Sequence, residues 1–226
     1  MTYVPPLDTS AARPRIPREL DPVEVRILGA LMEKQMATPE YYPLTVNALV
    51  AACNQKSNRE PVMELSESEV QRALDRLQDE KLVWKVMGGR AVRYDHNLDH
   101  VWHLNRREKA LLTLLFLRGA QTAGELRGRS DRLFPFDDIS AVASALQRMS
   151  APTEQRTEPL VIQLNRQPGS KESRYAHLLG GPIDVAQYTS APTSVQSNAS
   201  NNLAERVAKL EEEVAELRAL LADRRP

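Results

Sequence analysis

The chain has a single cysteine, Cys53, among its 226 residues. No intrachain disulfide is possible, and nothing in the sequence points to an oxidising compartment. Charge of one sign is also lacking. Thirty Lys and Arg balance thirty Asp and Glu, so no global field draws the molecule to nucleic acid, and any DNA contact must come from local basic patches. Aromatic residues make up only 5%. Long hydrophobic runs are absent: none approaches the roughly 18 residues that span a bilayer. The opening MTYVPPLDTSAARPRIPRE has short proline clusters and no apolar core of signal-peptide length. These absences lead to an expected cytoplasmic location with no membrane partner. The remaining composition, 42% hydrophobic and 27% charged, is that of a globular protein of one or two domains.

What the chain does have is a repeat. Val70-Gln-Arg-Ala73-Leu74-Asp-Arg76-Leu77 returns as Val142-Ala-Ser-Ala145-Leu146-Gln-Arg148-Met149, and Arg93-Tyr94-Asp-His96 returns as Arg174-Tyr175-Ala-His177. In both copies an amphipathic helix precedes a hairpin, so a supersecondary unit is duplicated.

Local signals complete each unit. Asp21-Pro22 caps and opens a helix carrying Val25, Leu28, Leu31 and Met32 inward through about Gln35. Tyr41-Tyr42-Pro43-Leu44 reads as a turn, after which Thr45 caps a second helix to about Cys53. Ser66 with Glu69 forms a capping box opening the third. Leu82–Val86 and Arg90–Tyr94 read as strands joined by a turn at Gly88-Gly89. In the second copy Asn105 caps a helix to Leu117 that Gly119 closes, Thr122 and Glu125 cap a short one ending near Gly128, and Phe136-Asp137-Asp138 starts the third. Leu160–Leu164 and Ser173–His177 form its hairpin. The expected fold is mainly α with small β-hairpin wings (α+β): two tandem winged-helix domains followed by a linker and a coiled-coil helix. The boundaries are a flexible arm at 1–19, domains at 20–104 and 105–181, a disordered linker at 182–202 and the coil at 203–224.

The coil rests on the heptad Leu203, Val207, Leu210, Val214, Leu217 and Leu221. Val at a with Leu at d favours a parallel pair, and Arg206 would meet Glu211, and Glu213 Arg218, of a partner. Fewer than three heptads make a weak zipper, so a homodimer built partly elsewhere is expected; an intramolecular helix packed on the body is the alternative.

The segment Tyr42–Val62 (YPLTVNALVAACNQKSNREPV), with Leu65–Val70, Arg118–Arg127 and Pro168–His177, closely resembles the bacterial YceH family. The resemblance runs from about Leu20 to Gly181, plus the C-terminal coil. It implies tandem winged-helix proteins of bacterial cytoplasm and implies no particular activity.

In a winged helix the third helix commonly enters the major groove. Here that helix carries Glu67, Glu69, Asp75, Asp79 and Glu80 against Arg72 and Arg76, a face that repels phosphate. The second begins with Asp137 and Asp138 and returns only Arg148. Positive charge lies elsewhere: Lys56 and Arg59 on a polar loop with Ser57 and Asn58, Lys85, Arg90 and Arg93 on the first wing, Arg118, Arg127, Arg129 and Arg132 around the short helix, and Arg166, Lys171 and Arg174 on the second wing. Such side chains suit sugar-phosphate contact. Solvated surface charge is the competing reading, and Asn58 and Arg59 equally suit bonding to neighbouring helix ends.

His96, His100 and His103 have no cysteine nearby and no predicted helix to hold His96 and His100 on one face, so no metal or other cofactor is expected. Tyr94 and Tyr175 read as packing residues with wet hydroxyls. No phosphate loop or ordered triad appears, and an enzyme is not expected. The expectation is a dimeric DNA-binding protein, a transcriptional regulator in outline, gripping backbone through wings and basic loops. The alternative is a protein-interaction module like the tandem winged-helix subunits of chromosome-condensation complexes; the acidic third helices favour it.

Overall fold

The side chain of Asp21 accepts from Glu24 N at 2.8 Å, and Glu24 returns a bond to Asp21 N. This reciprocal cap starts α1, Pro22–Ala37. The structure is a computed structural model that describes residues 19–87, 89, 91–166, 169–170 and 172–181. The expected arm up to residue 18, the linker and the coil residues Leu203, Val207, Leu210, Val214, Leu217 and Leu221 lie outside them, as do Arg90 and Lys171.

Among the described residues the fold is α+β, with seven α-helices and two small antiparallel sheets. A 3-10 turn at Pro39–Tyr41 leads to α2, Val46–Cys53, capped by Thr45. Next come α3, Glu67–Asp79, β1, Val83–Val86, and β2, Arg93–His96. A one-turn α4, Leu98–Val101, joins the halves. The order then repeats: α5, Arg106–Arg118, a short β3, Gln121–Thr122, α6, Ala123–Ser130, α7, Ile139–Met149, β4, Val161–Gln163, and β5, Arg174–His177. Ser66 and Thr122 make the expected capping boxes, Asn105 caps α5 as expected and also forms a box with Glu108, and Gly119 ends α5 with φ 70°, the left-handed region that favours glycine.

Two strand ends differ from the sequence expectation. Leu82 N bonds Leu77 O instead of entering the sheet, and β2 begins only at Arg93. The second sheet has order β3-β5-β4. Strand β3 is too short to show an alternating pattern, which is why the sequence did not reveal it. Its counterpart in the first half is a single bridge, Leu44 to Tyr94, matching Gln121 to Tyr175.

The halves share one core. α1 lies against α5, and Gly29 permits the close approach: a Cβ there would stand 2.9 Å from Leu117 Cδ2 and 3.0 Å from Phe116 Cβ. Trp102, fully buried, meets Phe116 edge-on at 6.1 Å. Leucines from both halves belong to the same apolar cluster, whose burial supplies the main driving force.

Candidate nucleic-acid interface

The loop after α2 is held by its own polar groups. Asn54 bonds Leu65 twice, accepting from its N–H and donating to its carbonyl, each at 2.8 Å. Asn58 takes a positive φ of 59°, and its Oδ1 accepts from Arg118 Nη1 at 2.8 Å. Arg59 turns inward. Its side chain is fully buried, donates twice to Ala52 O at the end of α2, and pairs with Glu33 at 2.6 Å. Arg59, a candidate contact residue by sequence, is therefore structural: it satisfies the open carbonyls of a helix end and has no exposed face for a ligand. Lys56 and Ser57 are left exposed.

These residues form one wall of a cleft of about 860 Å³ between the halves. The end of α1 contributes Lys34, the end of α5 Arg118, the end of α6 Arg129 and the turn beyond it Arg132. With Lys56 that gives five cations, against Glu33 and Asp131. Glu33 is committed to Arg59, so the cleft carries a clear positive excess. Leu114, Leu117 and Leu133 also line it. Burial, and next the nearby Arg129 charge, hold the Arg118 guanidinium below its usual pKa. The Glu60 and Glu125 carboxylates oppose that shift.

Six of the residues singled out in the sequence meet in this cleft: Lys56, Ser57, Asn58, Arg118, Arg129 and Arg132. Arg129 also donates to Gln121 Oε1 at 2.7 Å. Lys34 was hidden in the helical pattern of α1, and Arg118 and Arg132 are basic residues whose convergence only the fold reveals. The remaining candidates lie elsewhere. Arg72 is exposed on α3, and Arg166 is exposed beyond β4. Lys85 stands 3.8 Å from Asp75, and Arg127 donates to Asp137 O. Arg93 donates to Pro43 O, and Arg174 to Ala120 O and to Glu125, so both wing arginines are engaged by their own domain.

The third helices keep their acidic character. Arg76, the second cation of α3, is drawn away to Glu24 and Asp21. Tyr94 departs from the sequence expectation: its ring is buried and its hydroxyl bonds Gln71 at 3.2 Å instead of water. His96 is also buried. Its Nδ1 accepts from Leu98 N and its Nε2 meets Gln35 Oε1 at 2.8 Å. Lys109 donates to the same Gln35 oxygen and to Asp99, which ties α1, α4 and α5 together by a polar network. Burial pushes His96 down to about 4. Cys53 is buried in α2, and burial pushes its thiol up to about 12, the state of an inert core thiol.

Residues 20–170 match the family described as "Protein of unknown function, DUF480". The chain belongs to that family. Its relatives carry the name UPF0502 protein. One from Geobacter sulfurreducens is 51% identical over 203 residues, covering 88% of this chain and 90% of the relative. One from Acidovorax sp. (strain JS42) is 47% identical over 204 residues, covering 89% and 91%. One from Azoarcus sp. (strain BH72) is 46% identical over 221 residues, covering 97% and 95%. The DUF480 match thus spans both halves, and with them both walls of the basic cleft. No described helix is long and apolar enough to cross a membrane.

Proposed function

We propose that this DUF480 chain is a non-enzymatic, cytoplasmic tandem winged-helix protein that binds DNA, with the sugar-phosphate backbone held in the cleft between its two halves. Its YceH-like runs support that fold, as do the repeated three helices and hairpin. The observation that carries the reading is the convergence of Lys34, Lys56, Arg118, Arg129 and Arg132 on one cleft in a chain of zero net charge. Neutralising several phosphates at once needs cations gathered on a concave face. The wings serve less than sequence alone implied, because Arg93 and Arg174 each hold a backbone carbonyl of their own half. Affinity from such contacts is independent of base sequence.

The heptad from Leu203 to Leu221 is read as a dimerisation coil. Leu210→Glu with Val214→Glu is expected to convert a dimer to a monomer in light scattering; an unchanged mass would remove the coil from the account.

One observation favours a protein partner instead. Trp84, Val86, Met87 and Val92 of the first hairpin are exposed apolar side chains, near an α3 whose outward charge is acidic. The two readings separate when purified protein is incubated with sheared genomic DNA at low and near-physiological salt and the retained fragments are sequenced. Retention at low salt supports the cleft; discrete sites surviving higher salt would add sequence reading. No retention at either salt would replace DNA by a protein partner.

A further inference from the structure

A second cavity, about 190 Å³, is lined in part by Glu60, Pro61 and Met63 of the α2–α3 loop. Leu20, Val25, Met63 and Phe116 line it, together with the charged or polar Arg26, His177 and Glu60, the last an exposed residue. Arg26 is the oddity. It is 1% exposed and donates to Cys53 O at 3.1 Å and Pro61 O at 2.6 Å. Its Nε has no hydrogen-bond partner, and no carboxylate pairs with it among the described residues. Arg59, its neighbour at the same helix end, has Glu33.

A buried cation without a counter-ion is costly. The C-terminus of α2 offers roughly half a negative charge, which two arginines share. Burial, and next the Arg59 charge, lower the Arg26 pKa. His177 is a second underbonded group. The ring packs edge-on against Phe116 at 4.9 Å, and its Nδ1 is buried with no partner.

A group that meets these demands must be an anion with two acceptors, small, and apolar behind. A phosphate dianion fits badly, because its second charge would be stripped of water among Leu20, Val25 and Phe116. The volume is also below that of sites for drug-sized ligands. We propose that this cavity binds a small monocarboxylate with a short aliphatic tail, one oxygen facing Arg26 and the other His177. The claim stands apart from the nucleic-acid reading, but the two sites share elements. Glu60 and Pro61 line this cavity while Lys56, Ser57 and Asn58, on the same loop, line the basic cleft. Likewise Gly119 lines the cavity and Arg118 the cleft, and Glu60 N bonds Leu117 O at 2.8 Å. An occupant is therefore placed to bias the cleft.

The test is calorimetric titration of the full chain with the series acetate, propionate, butyrate and hexanoate, with butyramide as the uncharged counterpart and chloride at matched ionic strength. Saturable one-to-one binding within the series is expected, with the amide weaker by about tenfold to a hundredfold, the cost of a lost charge-assisted contact. Met63→Trp, which fills the cavity from its half-buried rim, is expected to abolish binding with the fold intact by circular dichroism. Arg26→Gln serves beside it where that variant folds. In NMR the His177 ring resonance shifts on titration and that of exposed His100 does not. The site is refuted if no carboxylate exceeds chloride, if butyramide matches butyrate, or if Met63→Trp binds as the native chain does.

Discussion

Arg93 and Arg174 do the same job in the two halves. Arg93 Nη1 donates to Pro43 O at 2.7 Å and Arg174 Nη1 to Ala120 O at 2.8 Å. Each acceptor lies two residues before the threonine that caps the following helix, Thr45 or Thr122. The repeated Arg-Tyr pair thus fastens a hairpin to the entry of the second helix. Tyr94 and Tyr175 make the equivalent backbone pairings with Leu44 and Gln121.

Arg93→Gln and Arg174→Gln are accordingly expected to cost stability, about 1 kcal/mol each, the usual net worth of one such bond. Arg174→Gln should lose more, since Glu125 also loses one of its two arginine partners, although that part-exposed pair adds little. Urea unfolding measures both. DNA retention by Arg93→Gln at low salt should stay near that of the native chain; a large loss would return the wings to the interface.

Gly29 is expected to tolerate no side chain. A Cβ would meet Phe116 Cβ at 3.0 Å and Leu117 Cγ at 3.1 Å, so α1 and α5 must separate. Gly29→Val is predicted to destabilise by about 1–3 kcal/mol, the range for overpacked cores. A lowered urea midpoint is the expected result, and an unchanged one would show that the helices slide apart freely.

Two buried histidines make stability depend on pH. Burial holds both His96 and His177 at about 4, against 6.5 when free. For His96, Asp99 opposes the shift and Lys109 adds to it. Between those values the unfolded chain takes up protons that the folded chain refuses. Their contribution is complete above pH 6.5 and is lost as the pH falls toward 4, at most about 1.4 kcal/mol per pH unit for each ring. Urea midpoints at pH 7.5, 6.5 and 5.5 check this, and His96→Gln should flatten the lower part of the curve.

Most helices were legible because their signals are local. Asp21-Pro22, Ser66 with Glu69, Thr122 with Glu125 and Asn105 are each complete within a turn of chain. The site was legible only in part. Lys56 announces itself in a polar loop, whereas Lys34 sits in the last turn of α1 beside Glu33 and Gln35, and nothing local says that Arg132 will line the same cleft. Arg59 shows the reverse failure: a loop arginine reads as available until the fold places Ala52 O and Glu33 around it. Gly29 in the middle of α1 was a visible cue to a close helix crossing, since glycine there costs helix stability of its own.

The most direct test of the central claim is a salt titration of binding to a labelled random-sequence duplex by the native chain and by Lys56→Glu with Arg132→Glu. Neither side chain has an ion-pair partner among the described residues, so the fold should survive. For the native chain, log affinity should fall linearly with log salt, by about 0.9 for each phosphate neutralised. The double variant should bind at least about tenfold more weakly at low salt, with a slope shallower by about 2. Equal affinity and equal slope in the two proteins, or no binding by the native chain at low salt, would contradict the account.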